Sequence, residues 1–299
     1  MLDVVIIGSG PAGITAAIYA KRANLNVAVV EKEYLGTGQI AESSRVDNYP
    51  GIPGIDGYSL GEKFREHAES LGVEFTEAQV LSLGQKDGIW IIGCDEDITL
   101  ESKAVIYATG CKNRPLGVPG EEKYYGRGLS FCAVCDGAFY KGKRVAVIGG
   151  GDTALDDAMY LSDICEKVYL VHRREFFRGS ASTLDKLKQK ESVEIIVNVR
   201  VEEITGDKKI DGIILDNKTK LNISGLFAAV GMISQTELLK EFGVLDESNY
   251  VKASEDTKTT VNGLFAAGDV RTKQLRQVVT AAADGANAIY SVMEYLRNI

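Results

Sequence analysis

Cys132-Ala133-Val134-Cys135, followed directly by Asp136, is the part of this sequence best equipped for chemistry. Two cysteines with two residues between them can close a small redox-active disulfide, and a carboxylate beside them can move the protons that dithiol exchange requires. Alone, the motif has other readings, among them half of a zinc site. It lies, however, between two glycine-rich stretches, Gly8-Ser9-Gly10-Pro11-Ala12-Gly13 and Gly149-Gly150-Gly151-Asp152-Thr153-Ala154. Each reads as a dinucleotide fingerprint, which suggests a route for electrons from nucleotide to nucleotide to disulfide.

The elements needed to position these residues are written around them. Asp3-Val4-Val5-Ile6-Ile7 is a β-branched run suited to a parallel strand buried on both faces. The first glycine stretch follows, then a helical pattern over 14–22, then a second strand over 26–30 that ends at Glu31. Gly8 permits the tight turn, Gly10 lets a pyrophosphate approach the backbone, and Gly13 allows close packing of helix on strand. The helix N-terminus favours phosphate, and Glu31 stands where an acid binds ribose hydroxyls. The second stretch repeats the plan after the strand over 143–148, with Ala154 in place of the third glycine. Its next strand, 168–171, ends not in an acid but in His172-Arg173-Arg174, with Arg178 just beyond. Arginine suits a ribose 2′-phosphate, so this site is expected to prefer NADPH to NADH.

Bulk composition fits this plan. A chain of 299 residues with 45% hydrophobic content can build two domains with their own cores. The net charge of −8 gives no basic footprint for nucleic acid. Five cysteines, at 94, 111, 132, 135 and 165, form no secreted disulfide framework and suit a reducing compartment. Residues 4–20 carry no charge, yet four glycine and proline positions interrupt them, so a strand-turn-helix is expected rather than a membrane span. No basic segment precedes the first strand, and a cytoplasmic location without a leader is expected. Neither His67 nor His172 has a partner at metal-ligand spacing, and no metal site is expected.

Further motifs carry a resemblance along nearly the whole chain. They are Gly38-Gln39-Ile40, Asp47-Asn48-Tyr49-Pro50-Gly51, Ala108-Thr109-Gly110, Gly263-Leu264-Phe265-Ala266-Ala267-Gly268-Asp269 and Arg276-Gln277-Val278-Val279-Thr280. With the cysteine and glycine motifs, their order and spacing resemble the low-molecular-weight, prokaryotic-type thioredoxin reductases, flavoproteins of the pyridine nucleotide–disulfide oxidoreductase class. The resemblance implies an α/β fold of two Rossmann-like, three-layer ββα domains. An FAD domain, 1–113 and 244–299, would be interrupted by an NADPH domain, 114–243, that carries the cysteines. FAD would be held by the residues from Gly8 to Gly13 and by Glu31, Gly38, Gln39, Asn48, Thr109, Gly110, Gly268, Asp269, Arg276, Gln277 and Val278. NADPH would be held by Gly149, Gly150, Gly151, Asp152, Thr153, His172, Arg173, Arg174, Arg178 and Gly231. Electrons would pass from NADPH through FAD to Cys132–Cys135 and on to thioredoxin or a thioredoxin-like protein. Cys135 would face the flavin and Cys132 attack the partner, with Asp136 as the acid/base. A homodimer, and rotation of one domain about segments 112–116 and 240–244, are the family expectations.

Two loops depart from the family pattern. Leu35-Gly36-Thr37-Gly38-Gln39 stands where two adjacent glycines usually precede the glutamine, and Gly231-Met232-Ile233-Ser234-Gln235-Thr236 where a Pro-Asn-Thr ending is usual. Alternatives within the same fold are a reductase of a peroxiredoxin or another thioredoxin-like acceptor, a ferredoxin-dependent enzyme, and an oxygen-dependent dithiol oxidase. The arginine cluster counts against the last two.

Overall fold

The computed structural model describes residues 1–33, 37–43 and 45–299, with no side-chain placement for Glu42. Leu35 and Gly36, the first half of one departing loop, lie outside the described residues. The chain forms two compact units, Met1–Lys112 with Ser234–Ile299, and Asn113–Ile233.

In the first unit the strands Leu2–Ile7, Val27–Glu31 and Glu74–Glu77 run parallel on one side, and Leu2–Ile7 pairs in parallel with Thr99–Tyr107 on the other. Leu264–Ala266 joins Thr99–Tyr107 in parallel, while Val80–Lys86 and Ile89–Cys94 extend the sheet as an antiparallel meander. Alternation along the first strand sorts its two faces. Val4 and Ile6 pack with Ile14, Ala17, Ile289 and Val292 from the helices Pro11–Arg22 and Val278–Leu296. Val5 and Ile7 face the other way, with Trp90, Ile92 and Leu239. This gives the three layers of the expected fold, helix, parallel sheet and antiparallel meander.

The second unit repeats the plan. Val193–Val197, Lys167–His172, Arg144–Gly149, Gly225–Ala229 and Leu129–Ser130 form a five-stranded parallel sheet in that order. Val145, Val147 and Leu170 meet Leu155, Ala158 and Leu161 of the helix Asp152–Ser162. Ala146, Leu226 and Ala228 meet Ile204, Ile213 and Leu221 of a separate three-stranded antiparallel sheet.

The chain returns to the first unit at Ile233–Ser234, earlier than the 243–244 boundary that the family resemblance implies. The reason is burial. Leu239 is fully buried, and Leu238 and Phe242 pack against the same first-unit cluster as Trp90 and Val244. No helix among the described residues is long and apolar enough to cross a membrane.

Candidate functional site

In the first unit, Gly8 closes the turn after the opening strand with φ +103°, and a β-carbon there would lie 2.6 Å from the Ala108 carbonyl oxygen. A β-carbon on Gly13 would lie 1.9 Å from the Gly8 carbonyl oxygen, so helix and turn pack at a distance only glycine allows. Gly10 is different, since among the described residues only the backbone of Thr37 and Gly38 comes within 4 Å of that position. Space therefore remains over the start of Pro11–Arg22, with proline in the first turn where no amide is lost. Ser9 donates to Glu31 Oε2 from both its amide, at 2.9 Å, and its hydroxyl, at 3.0 Å, fixing the carboxylate beside the turn.

Other segments converge here. Gly268 approaches Ala12 closely, and its amide donates to Asp284 Oδ2 at 2.8 Å. Arg271 and Lys273 also donate to Asp284, all three side chains being almost fully buried. Burial works to raise the Asp284 pKa, but the hydrogen bonds from Arg271 and Lys273 hold it below the usual carboxylate range. Next to Gly268, Asp269 Oδ1 is buried without a hydrogen-bond partner among the described residues, and burial pushes this carboxyl upward. An orphaned buried acceptor is a strained arrangement unless a ligand donor meets it. Asn48 Nδ2 donates to Gln277 Oε1 at 2.8 Å, and Gln277 opens the helix Val278–Leu296 in a capping box with Thr280. Arg276 lies 4.2 Å over the Tyr250 ring and donates to the Asp269 carbonyl at 3.3 Å. Gln39 and Gly110 lie in the adjoining segments, Gln39 in the short helix Gly38–Glu42 and Gly110 with φ +66° after Thr109.

The departing residue Gln235 has a specific place. Its carbonyl accepts from Thr109 Oγ1 and Tyr107 Oη, both at 2.9 Å, and its side-chain amide donates back to the Thr109 carbonyl at 2.9 Å. Gln235 thus fixes Thr109, a role the sequence did not reveal.

In the second unit, Gly149 adjoins Ala229 across the sheet, and Gly231 follows with φ +102°. A β-carbon on Gly150 would fall 2.2 Å from the His172 ring, whereas among the described residues nothing lies within 4 Å of that position on Gly151. The turn is therefore closed beneath and open above, at the start of the helix Asp152–Ser162, whose second residue Thr153 is exposed. Asp152 turns aside, accepting from the Ser180 amide at 2.7 Å. His172 is buried, its ring 4.8 Å from that of Phe177 and its Nε2 3.2 Å from the Phe176 carbonyl. Burial, with Arg174, Arg173 and Arg178 nearby, lowers its pKa. The three arginines are exposed and, among the described residues, make no side-chain hydrogen bond or ion pair.

The cysteines lie in the same unit. Cys132 and Cys135 are joined as a disulfide, with Cys132 at the N-terminus of the short helix Ala133–Asp136. Cys132 Sγ accepts from the Cys135 amide at 3.2 Å. Asp136 Oδ2 accepts from Ser130 Oγ at 2.6 Å, and Ser130 Oγ in turn accepts from the Cys132 amide at 3.1 Å. Burial raises the Asp136 pKa, partly offset by the Ser130 hydrogen bond. Ser130 escaped notice in the sequence because it belongs to the preceding strand rather than to the motif. Cys94, Cys111 and Cys165 are free and buried. No cluster of three or more metal-ligating side chains occurs among the described residues.

Comparison with known proteins agrees with this architecture. Residues 2–285 match the family described as "Pyridine nucleotide-disulphide oxidoreductase". The thioredoxin reductase of Bacillus subtilis is 38% identical, covering 99% of this chain and 95% of that one. A "34.2 kDa protein in rubredoxin operon" of Clostridium pasteurianum is 39% identical, covering 99% and 97%. The crystal structure of thioredoxin reductase from Streptococcus pyogenes superposes with a TM-score of 0.94 at 40% identity, covering 100% and 99% of the two chains. On the match of its sequence and of its two sheet-based units, the chain belongs to the pyridine nucleotide-disulphide oxidoreductase family.

Proposed function

We propose that this chain is an NADPH-dependent FAD enzyme that reduces the disulfide of thioredoxin through Cys132 and Cys135. The observation that carries the reading is the Cys132–Cys135 disulfide beside a half-buried carboxyl, Asp136, whose pKa is raised. The similarity to thioredoxin reductases along the whole chain supports the choice of acceptor.

FAD fits the first unit. The open turn at Gly10, the fixed carboxylate of Glu31 and the orphaned Asp269 Oδ1 are suited to a pyrophosphate, a ribose and a ligand hydroxyl respectively. Thr109, Asn48, Arg276, Gln277 and Val278 would complete the site. When bound, FAD supplies the two-electron chemistry between a pyridine nucleotide and a disulfide. NADPH fits the second unit, with phosphates over Gly151 and the 2′-phosphate on Arg173, Arg174 and Arg178.

The chain's own residues carry the exchange. The Cys135 amide donates to Cys132 Sγ in the disulfide, a contact that in the reduced pair would stabilise the Cys132 thiolate. That thiolate attacks a partner disulfide sulfur, forming a mixed disulfide and expelling the partner's other sulfur as thiolate. Asp136 gives that thiolate its proton. Asp136, now a carboxylate, takes the Cys135 thiol proton. The Cys135 thiolate attacks Cys132 Sγ, restoring the Cys132–Cys135 disulfide, and the expelled partner thiolate takes that proton, so the partner leaves as a dithiol. Buried free thiols at Cys94, Cys111 and Cys165 suit a reducing compartment, and we read the enzyme as cytoplasmic. The homodimer follows from family resemblance.

The test is NADPH oxidation by the FAD-loaded protein with oxidised thioredoxin, beside NADH and Cys135→Ser. Sustained turnover that prefers NADPH and disappears in Cys135→Ser is expected. A protein that NADPH reduces once, with no turnover on thioredoxin, would overturn the acceptor assignment.

A further inference from the structure

Phe176 is 76% exposed and packs into none of the buried clusters, although its neighbour Phe177 is packed inward. Its backbone is not loose. The Phe176 carbonyl is held by His172 Nε2, and Phe177 stacks on that same imidazole. Two residues on, the Arg178 and Gly179 amides donate to the Gly150 carbonyl at 2.7 and 3.2 Å, and the Ser180 amide reaches Asp152 Oδ1. A β-carbon on Gly179 would lie 2.8 Å from the Asp152 amide nitrogen, so the loop rests directly on the glycine turn. A firmly anchored loop therefore presents one aromatic ring to solvent, with three arginines on the same loop that make no side-chain hydrogen bond or ion pair among the described residues.

Exposure of a lone aromatic ring needs no explanation in general. Here the second observation is the arginine cluster, whose charges act together on His172 and lack any anion among the described residues. A cluster of three exposed arginines with an exposed aromatic ring on the same backbone-anchored loop matches a phosphorylated nucleoside, the phosphate meeting guanidinium and the base meeting the ring. We propose that Phe176 is the stacking surface for the purine of the dinucleotide's adenosine half, so that it sets affinity while the arginines set the choice of NADPH over NADH. This rests on the reading of the second unit as the nucleotide site.

The test is calorimetric titration of the full-length, FAD-loaded protein with adenosine 2′,5′-bisphosphate and with 2′-AMP, for the unaltered chain, Phe176→Ala, Phe176→Leu and Phe176→Tyr. Loss of the π-face in the Ala and Leu variants is expected to weaken both ligands about tenfold, the scale of one base stacked on one side chain, while Tyr restores them. NADPH and NADH should weaken by the same factor in Phe176→Ala, leaving their ratio unchanged. Phe176 being exposed, thermal melts of the variants should coincide with that of the unaltered chain. Phe176→Leu binding as tightly as the unaltered chain overturns the stacking role and leaves the nucleotide site standing. Failure of the unaltered chain to bind either ligand overturns the nucleotide site and the stacking role together.

Discussion

Ser130 Oγ and Asp136 Oδ2 lie 2.6 Å apart, and the same hydroxyl accepts from the Cys132 amide. One strand residue therefore ties the carboxyl to the backbone of the cysteine. Asp136→Asn keeps an acceptor for Ser130 but removes the proton, and thiol–disulfide exchange should fall roughly 10²-fold or more. Stopped-flow reduction of thioredoxin by the prereduced protein measures it, and an unchanged rate would remove Asp136 from the chemistry.

Ser130→Ala tests the same relationship through pH. The hydroxyl lowers the Asp136 pKa against the raising effect of burial, so its removal lets the pKa rise further. An acid loses activity as pH climbs through its pKa. The alkaline limb of the exchange-rate profile should therefore move to higher pH in Ser130→Ala, and a shift to lower pH would contradict the assignment.

Arg174→Ala should weaken NADPH roughly 10-fold to 100-fold while leaving NADH nearly unchanged, since a charge-assisted phosphate contact exists only with the former. Equilibrium titration of both nucleotides gives the ratio.

Asp284→Asn would leave buried Arg271 and Lys273 without their carboxylate. Breaking a buried pair on one side costs about 3–5 kcal/mol, read as a fall in the urea midpoint of the FAD-free protein. The native pKa lies below the usual value, so this carboxylate contributes stability above the unfolded pKa and loses it as pH falls through the native one. The difference between the unaltered chain and the variant should accordingly shrink in acid.

Asp157 behaves oppositely. Burial on the helix Asp152–Ser162, with Asp156 adjacent, pushes its carboxyl from 3.8 to about 7. The folded chain then holds a proton that the unfolded chain releases, so stability declines as pH rises between those values. Asp157→Asn should flatten that decline, and urea midpoints at pH 5 and pH 8 measure the change.

Much of this site is legible in the sequence because its parts are local. A glycine turn lies between its own strand and helix, and Cys132 and Cys135 are neighbours on a short segment, so type and spacing alone specify them. The arginines after Val171 are legible for the same reason. Long-range contacts leave no such mark. Gln235 reads only as a departure from a family pattern, yet it fixes Thr109 from far along the chain. Ser130 carries no motif, and its hydroxyl matters only because its strand ends beside Asp136.

The amino-acid order by itself determined two sheet-based units, two glycine turns and one cysteine pair, since strand alternation, glycine placement and cysteine spacing act within a few residues of chain. Tertiary packing decided the rest. It drew residues 234–243 into the first unit by burying Leu239, and it buried Asp269 Oδ1 without a hydrogen-bond partner among the described residues. It also turned Phe177 inward onto His172 while leaving Phe176 outward. Two adjacent phenylalanines are chemically identical, and only the contacts made by the folded chain distinguish the one that packs from the one left exposed.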